Sequence, residues 1–534
     1  MLQVYDRVLS SRSMPTLVLL VILLVLLYVC QGTLEVLRTR VLTRIGVYCQ
    51  THLGPRVFRL MLRLPLLHQG DAPQGTQPLR DLERIQTVLG GQGPAALFDL
   101  PWIPIYLIFV FMLHAWLGWL AVGGALLLVG LTLLTHRLSE KPVQLKTAEN
   151  TGRNALEQMA WRNVDVLHTM GFRDRIMALW QEKSRKALGR DVSASDITGG
   201  LGIVSKISRA FLQSLILAVA AYLVIRGELS GGAIIASSIT FARALAPIDL
   251  IIPQWKFFVA AYQSKKRLES LLAKFPEPST PMALPAPSQT LDVENLSVRA
   301  PGQQRFLLQN VTFSLKAGDG LGIIGHSASG KSTLVRALIG LWPLASGCVR
   351  LDRATLDRWT CEDLGPHMGY MPQDIDLLEG TIAQIISRFE EFPDSESVIA
   401  AAKVAHVHAM ILALPQGYDT RLGRDIMLSA GQRQRLALAR ALYRDPFLVV
   451  LDEPNAHLDL EGEEALTAAI RSVRERGGII LVVAHRPSAI IAVDQLALMA
   501  HGTLQAFGPK ETVLAQLTAR PLASRKASSE KSAA

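Results

Sequence analysis

In the first half of the chain the apolar residues come in runs rather than stripes. Thr16 to Leu34, centred on "TLVLLVILLVLLYV", supplies the roughly 20 apolar residues a helix needs to cross a bilayer. Ala95 to Thr135 stays apolar with a soft interruption near His114 and predicts a tight pair of spans. "AFLQSLILAVAAYLVI" (210–225) and "GGAIIASSITFARALAPIDLII" (231–252) predict a second pair, separated only by Arg226 to Ser230. Five spans result. Between them, "PLRDLERIQTVL" and "ALEQMAWRNVDVLHTMGF" change to helical periodicity and predict helices continuing beyond the membrane. "FPEPSTPMALPAPSQ" (275–289), with five prolines in fifteen residues, predicts a semi-rigid linker. After it, short β-rich runs alternate with helical patterns, as in an α/β domain.

The pattern therefore divides the chain into a transmembrane domain (1–274), the linker (275–289), an α/β domain (290–515) and a polar tail (516–534) predicted to be disordered. Charge orients the spans. The segments 35–95 and 136–205 are rich in Lys and Arg, whereas the two hairpin loops carry only Arg226, so the long segments are expected in the cytoplasm. The net charge of +10 is explained the same way and gives no reason to invoke nucleic acid. The four cysteines, Cys30, Cys49, Cys348 and Cys361, show no CxxC spacing and predict neither disulfide nor zinc site. With the second half cytoplasmic, five spans place Met1 outside with Asp6, Arg7 and Arg12. A sixth span before Met1, lost by truncation or a misassigned start, is the expected explanation; a genuinely outward N-terminus is the alternative.

The chemistry lies in the α/β domain. "GHSASGKST" (325–333) fits GxxxxGK[ST] between the strand-like "GLGII" and the helix-like "STLVRALIGL". In such a loop, glycines such as Gly325 and Gly330 let backbone N–H groups curl round phosphate oxygens. Ser327, Ser329 and Thr333 lie along that cradle. Lys331 is spaced to reach the β- and γ-phosphates and Ser332 to hold Mg²⁺. "FLVVLDEP" (447–454) ends a buried strand in two acids: Asp452 for the metal, Glu453 to polarise an attacking water. "IILVVAH" (479–485) ends in His485, where a γ-phosphate sensor belongs.

These motifs, with Gln373 in "YMPQD", "LSAGQRQR" (428–435) and Asp459 in "NAHLD", resemble the nucleotide-binding domain of ATP-binding cassette (ABC) transporters in order and spacing. The resemblance implies ATP and Mg²⁺ as cofactors. It makes Gln373 a metal sensor coupled to the membrane part, puts Asp459 across a dimer interface, and turns Ser429, Gly431 and Gln432 toward the ATP of a second copy. "MLQVYDRVLSSRSMPTL", "DLPWIPIYLIFVFMLH" and "ARALAPIDLIIPQW" resemble type I protein secretion exporters, in the branch exporting alkaline proteases and lipases. In that branch "LQVYDRV" follows a first membrane helix. The implied protein is an inner-membrane homodimer that exports an unfolded protein with a C-terminal signal. A periplasmic membrane-fusion adaptor and an outer-membrane channel would complete it. The alternatives are an exporter of lipid, glycan or peptide, or a membrane P-loop ATPase without transport.

Four features depart from the family pattern or go beyond it. Ala430 stands where the signature usually has Gly, and "GRDIM" (423–427) lacks the usual acidic–glycine run. No aromatic residue lies in 293–305 to stack on adenine, leaving Phe306 as the nearest candidate. Arg243 and Asp249 lie in or near the last span, and read either as lining a watery path or as marking where the helix leaves the bilayer.

Overall fold

Proline, histidine and glycine set the breaks between the membrane helices. The computed structural model describes residues 3–8, 11–67, 77–275, 284–299, 305–423, 428–456, 458–484 and 490–516. Two units emerge: Met1–Met61 with Pro73–Pro276, and Leu62–Ala72 with Glu277–Ala534. Ahead of the linker, helices run over Met14–Leu67, Gln77–Leu89, Gln92–Asp99, Ile103–Leu113, Ala115–Arg162, Val164–Thr169, Arg173–Ile225 and Gly231–Lys274. Among the described residues five are long and apolar enough to span a membrane, in the places the apolar runs predict. At about 1.5 Å per residue, Ala115–Arg162 and Arg173–Ile225 far exceed a roughly 30 Å hydrocarbon core and project well beyond it.

The soft interruption is a real helix break. His114 is extended (φ −167°, ψ 141°), and its Nδ1 accepts from the Trp116 amide to cap the next helix. Its Nε2 lies 3.2 Å from Glu228 Oε2, so the two hairpin turns meet at one end of the unit. Asp6 reaches that same end, accepting from Ser230 Oγ at 2.6 Å and the Gly232 amide at 2.9 Å. Any Cβ on Gly232 would collide with that carboxylate. Leu117, Ala121, Leu128, Ile216, Phe241 and Leu245 form the dry centre of the bundle. Away from the hairpin turns, Asp81 on the amphipathic helix is buried and accepts from Arg267 Nη2 at 2.7 Å, Arg267 Nε at 3.0 Å and Ser264 Oγ at 2.8 Å. Arg243 lies inside the candidate span Gly231–Ile248, whereas Asp249 follows it. Arg243 lines a cavity of about 280 Å³ with Gln31, Glu35, Arg38, Asp99 and Tyr106. The Asp249 side chain lies outside the described residues.

The second unit is built on two sheets. Its strands are β1 (Thr290–Arg299), β2 (Phe306–Lys316), β3 (Gly320–Ile324), β4 (Ser346–Leu351), β5 (Ala354–Thr355) and β6 (Met368–Met371). There follow β7 (Gly380–Thr381), β8 (Arg421–Leu422), β9 (Leu448–Asp452), β10 (Ile479–Val483), β11 (Gln495–Ala500) and β12 (Thr503–Pro509). The main sheet runs β12-β11-β3-β10-β9-β6, parallel except for β12, and an antiparallel sheet runs β2-β1-β4-β5. Every residue of β9 and β10 is buried, as expected of parallel strands covered on both faces. Parallel pairing brings the carboxyl ends of β3, β9 and β10 together, where ligands bind in such sheets. The unit is thus the α/β domain that the alternating pattern predicts. Residues 276–283 of the linker and 517–534 of the tail lie outside the described residues.

Candidate nucleotide site

The loop between β3 and the helix Lys331–Leu338 depends on glycine at both ends. Gly325 has φ 155°, and a Cβ there would run into the Met499 carbonyl oxygen. Gly330 caps the helix at φ 101°, a left-handed conformation that costs glycine little. The helix start therefore faces the loop with its first amides unbonded within the helix, a ready-made anion site. Ser327 and Thr333 lie on the same loop and helix. Lys331 is 6% exposed, with Nζ donating to the carbonyls of Gly325 and His326, both at 2.9 Å. Burial pulls its ammonium below the usual lysine range, opposed by Glu453 and Asp452.

Opposite stands the end of β9. Asp452 is buried, and burial holds its carboxyl above the ordinary range despite a hydrogen bond with the Ser332 side chain. Its Oδ1 and the Ser329 Oγ are buried without hydrogen-bond partners among the described residues. Buried polar atoms are normally satisfied, so two orphans in one cradle point to groups supplied by a ligand. A buried carboxylate oxygen beside a hydroxyl suits a hard cation with oxygen ligands. Glu453, at φ 52°, accepts from Gln373 Nε2 at 3.1 Å. The structure therefore brings Lys331, Ser332, Asp452, Glu453 and Gln373 together. His485 lies outside the described residues.

"LSAGQ" is placed otherwise. Ser429 caps the helix Ala430–Leu442 through a reciprocal box: its Oγ accepts from the Gln432 amide at 3.2 Å, and Gln432 Oε1 from the Ser429 amide at 2.9 Å. Ser429 and Ala430 are exposed, and Ala430 is the first helical residue. Asp459 caps the helix Leu460–Glu475, accepting from the Gly462 amide at 2.9 Å. Of "GRDIM", residues 424–427 lie outside the description. Phe306 opens β2 with the Arg299 guanidinium 4.5 Å from its ring centroid, so one face of this candidate adenine stacker is already covered.

Gln434, which the motif reading passes over, is 3% exposed and its Nε2 donates to the Pro454 carbonyl. The signal was periodicity: Gln434 shares the buried face of its helix with Leu438 and Ala441, where a polar residue demands a partner.

Residues 308–456 match the family described as ABC transporter, and residues 2–246 the family described as ABC transporter transmembrane region. The type I secretion system ATP-binding protein PrsD of Rhizobium meliloti (strain 1021) is 51% identical over 97% of this chain and 89% of that protein. The chain belongs to the ABC transporters of type I secretion. The alpha-hemolysin translocation ATP-binding protein HlyB of Proteus vulgaris is 27% identical over 96% of this chain and 73% of that protein. A bacterial Atm1-family ABC exporter with ATP bound has the same fold, with TM-score 0.82 at 23% identity, over 96% of this chain and 92% of that one. The transporter is accordingly a multi-pass membrane protein with an ATP-binding domain, and hydrolysis of ATP is coupled to transport.

Proposed function

We propose that two copies of this chain form a protein exporter in a bacterial inner membrane, with the nucleotide domains in the cytoplasm. Each ATP is held by the 325–333 loop of one copy and by Ser429, Gly431 and Gln432 of the other. The observation that carries the two-chain site is the exposed start of the signature helix, where the Ser429 and Gln432 side chains accept only from each other's backbone amides among the described residues.

In the loaded site Lys331 exchanges its two carbonyl partners for β- and γ-phosphate oxygens. Phosphoryl transfer asks for positioning and charge neutralisation more than for covalent chemistry. Ser332, Asp452 and Gln373 would hold a magnesium ion, which would supply part of that neutralisation. Glu453 orients the attacking water and accepts its proton, and His485 reports the γ-phosphate. Closure of the two domains on ATP pulls the membrane helices, and hydrolysis releases them. The substrate is an unfolded protein with a C-terminal signal, handed to a periplasmic membrane-fusion adaptor and an outer-membrane channel. The 51% identity to a type I secretion protein over nearly the whole chain supports this reading.

The test is complementation between inactive copies. A mixed dimer of Lys331→Ala and Ser429→Arg chains keeps one intact site only if the two halves act across the interface. Recovery of hydrolysis in lipid vesicles and of reporter export is expected; a mixture as inactive as either parent overturns the two-chain site.

A further inference from the structure

Arg388 occupies a backbone position that ordinarily belongs to glycine. It follows the helix Ile382–Ile386 at φ 58°, and Phe389 after it stands at φ 60°. Helix ends that turn left-handed usually do so on Gly or Asn, because a Cβ is crowded there. An arginine held in that conformation points to a task for its side chain. The half-buried guanidinium makes no ion pair among the described residues and bonds only to carbonyls. Two belong to the end of the signature helix, Arg440 at 3.1 Å and Ala441 at 3.3 Å. Two flank the start of β6, Gly365 at 2.7 Å and Met368 at 3.0 Å. A cation at a helix C-terminus is favoured by the orphan carbonyls and the dipole there. The two elements touch directly as well, since a Cβ on Gly369 would collide with the Ala441 carbonyl. The neighbouring Glu390 strengthens the joint, pairing with Arg444 at 3.0 Å and accepting from Tyr443 Oη at 2.8 Å.

At their other ends both elements lead to Glu453. From β6 the chain continues to Gln373, whose side chain donates to the Glu453 carboxylate. From within the signature helix Gln434 donates to the Pro454 carbonyl, one residue after it. Among the described residues Arg388 hydrogen-bonds to neither the phosphate loop nor Lys331. We propose that Arg388 is a positioning residue for ATP hydrolysis: it closes a ring of contacts running through β6, Gln373, Glu453, Pro454, Gln434 and the signature helix, and so sets where the Glu453 carboxylate stands. A carboxylate displaced by a fraction of an ångström still leaves ATP bound but orients water poorly. The inference rests on the assignment of Glu453 as the water-orienting group.

The experiment uses the full chain in lipid vesicles and measures Mg-ATP hydrolysis per folded molecule for Arg388→Lys, Arg388→Ala and Glu453→Gln. Both Arg388 variants should lose about tenfold in kcat, with KM for ATP changed less than about twofold, since a ~1.4 kcal/mol loss confined to the transition state appears in kcat. Added methylguanidinium should restore Arg388→Ala several-fold, and methylammonium at equal concentration should not. A merely structural arginine would lower the folded fraction, leave kcat of the survivors unchanged and respond to neither additive; that result overturns the proposal. So does a rise in KM at unchanged kcat. If Arg388→Ala does not fold, Arg388→Lys decides, and full kcat in the lysine variant overturns the proposal. Unimpaired hydrolysis in Glu453→Gln would overturn the underlying site assignment, and the proposal with it.

Discussion

Two buried aspartates, one in each unit, have opposite surroundings. Asp81 in the membrane unit and Asp452 in the nucleotide unit are 1% and 2% exposed. Asp81 is saturated by Arg267 and Ser264. Asp452 keeps an oxygen without a hydrogen-bond partner among the described residues, and burial raises its carboxyl above the ordinary range. A buried charge that the fold satisfies holds helices together; one left wanting is kept for a ligand. The same contrast separates Arg267, committed to Asp81, from Lys331, whose backbone carbonyl partners are exchangeable.

Glu453 carries the largest expected effect. Glu453→Gln should lower kcat about 10²–10⁴-fold with ATP binding and melting temperature nearly unchanged, read by hydrolysis and thermal unfolding together. At Asp81 the expectation inverts. Arg267→Leu strands a buried carboxylate and should cost about 3 kcal/mol of stability, less whatever Arg84, 3.7 Å away, recovers. Hydrolysis per folded molecule should hardly change, and an equal loss in kcat would show that the Asp81 network belongs to the catalytic cycle.

Asp452→Asn sharpens the comparison through pH. The folded carboxyl titrates above its unfolded value, so the wild-type fold binds the proton more tightly and loses stability as pH rises through that interval. Without nucleotide, the asparagine variant should therefore melt higher than wild type at neutral pH, and the gap should close as pH falls below the ordinary aspartate value. A gap independent of pH would remove the electrostatic explanation. The smallest effect belongs to Ser429→Ala, which removes a helix cap worth about 1 kcal/mol. If this serine also faces a partner's ATP, hydrolysis should fall further than the lost cap explains.

Much of this was legible because local rules suffice. A run such as Thr16–Leu34 must be a lipid-facing helix, and none of the first span's apolar window is buried. A GxxxxGK[ST] loop after a strand forces the cradle at Gly325 and Gly330, whatever else the chain does. "LSAGQ" carried two meanings, and the single chain displays the local one, a capping box. What sequence order does not encode is pairing between distant residues. Asp81 meets Arg267 186 positions away, and His114 meets Glu228 across two hairpins. Arg388 looks like an ordinary charged residue after a short helix until the end of the signature helix and the start of β6 are found to share its guanidinium.

The two-part architecture, the five apolar spans, the phosphate loop and the acidic strand end are written in the order of residues, because each follows from the periodicity or spacing of neighbours. Which buried charges are satisfied and which are left open is settled by folding alone. Burial and hydrogen bonding depend on what the rest of the chain packs alongside, so Asp81, Asp452, Gln434 and Arg388 acquired their different characters only once it had folded.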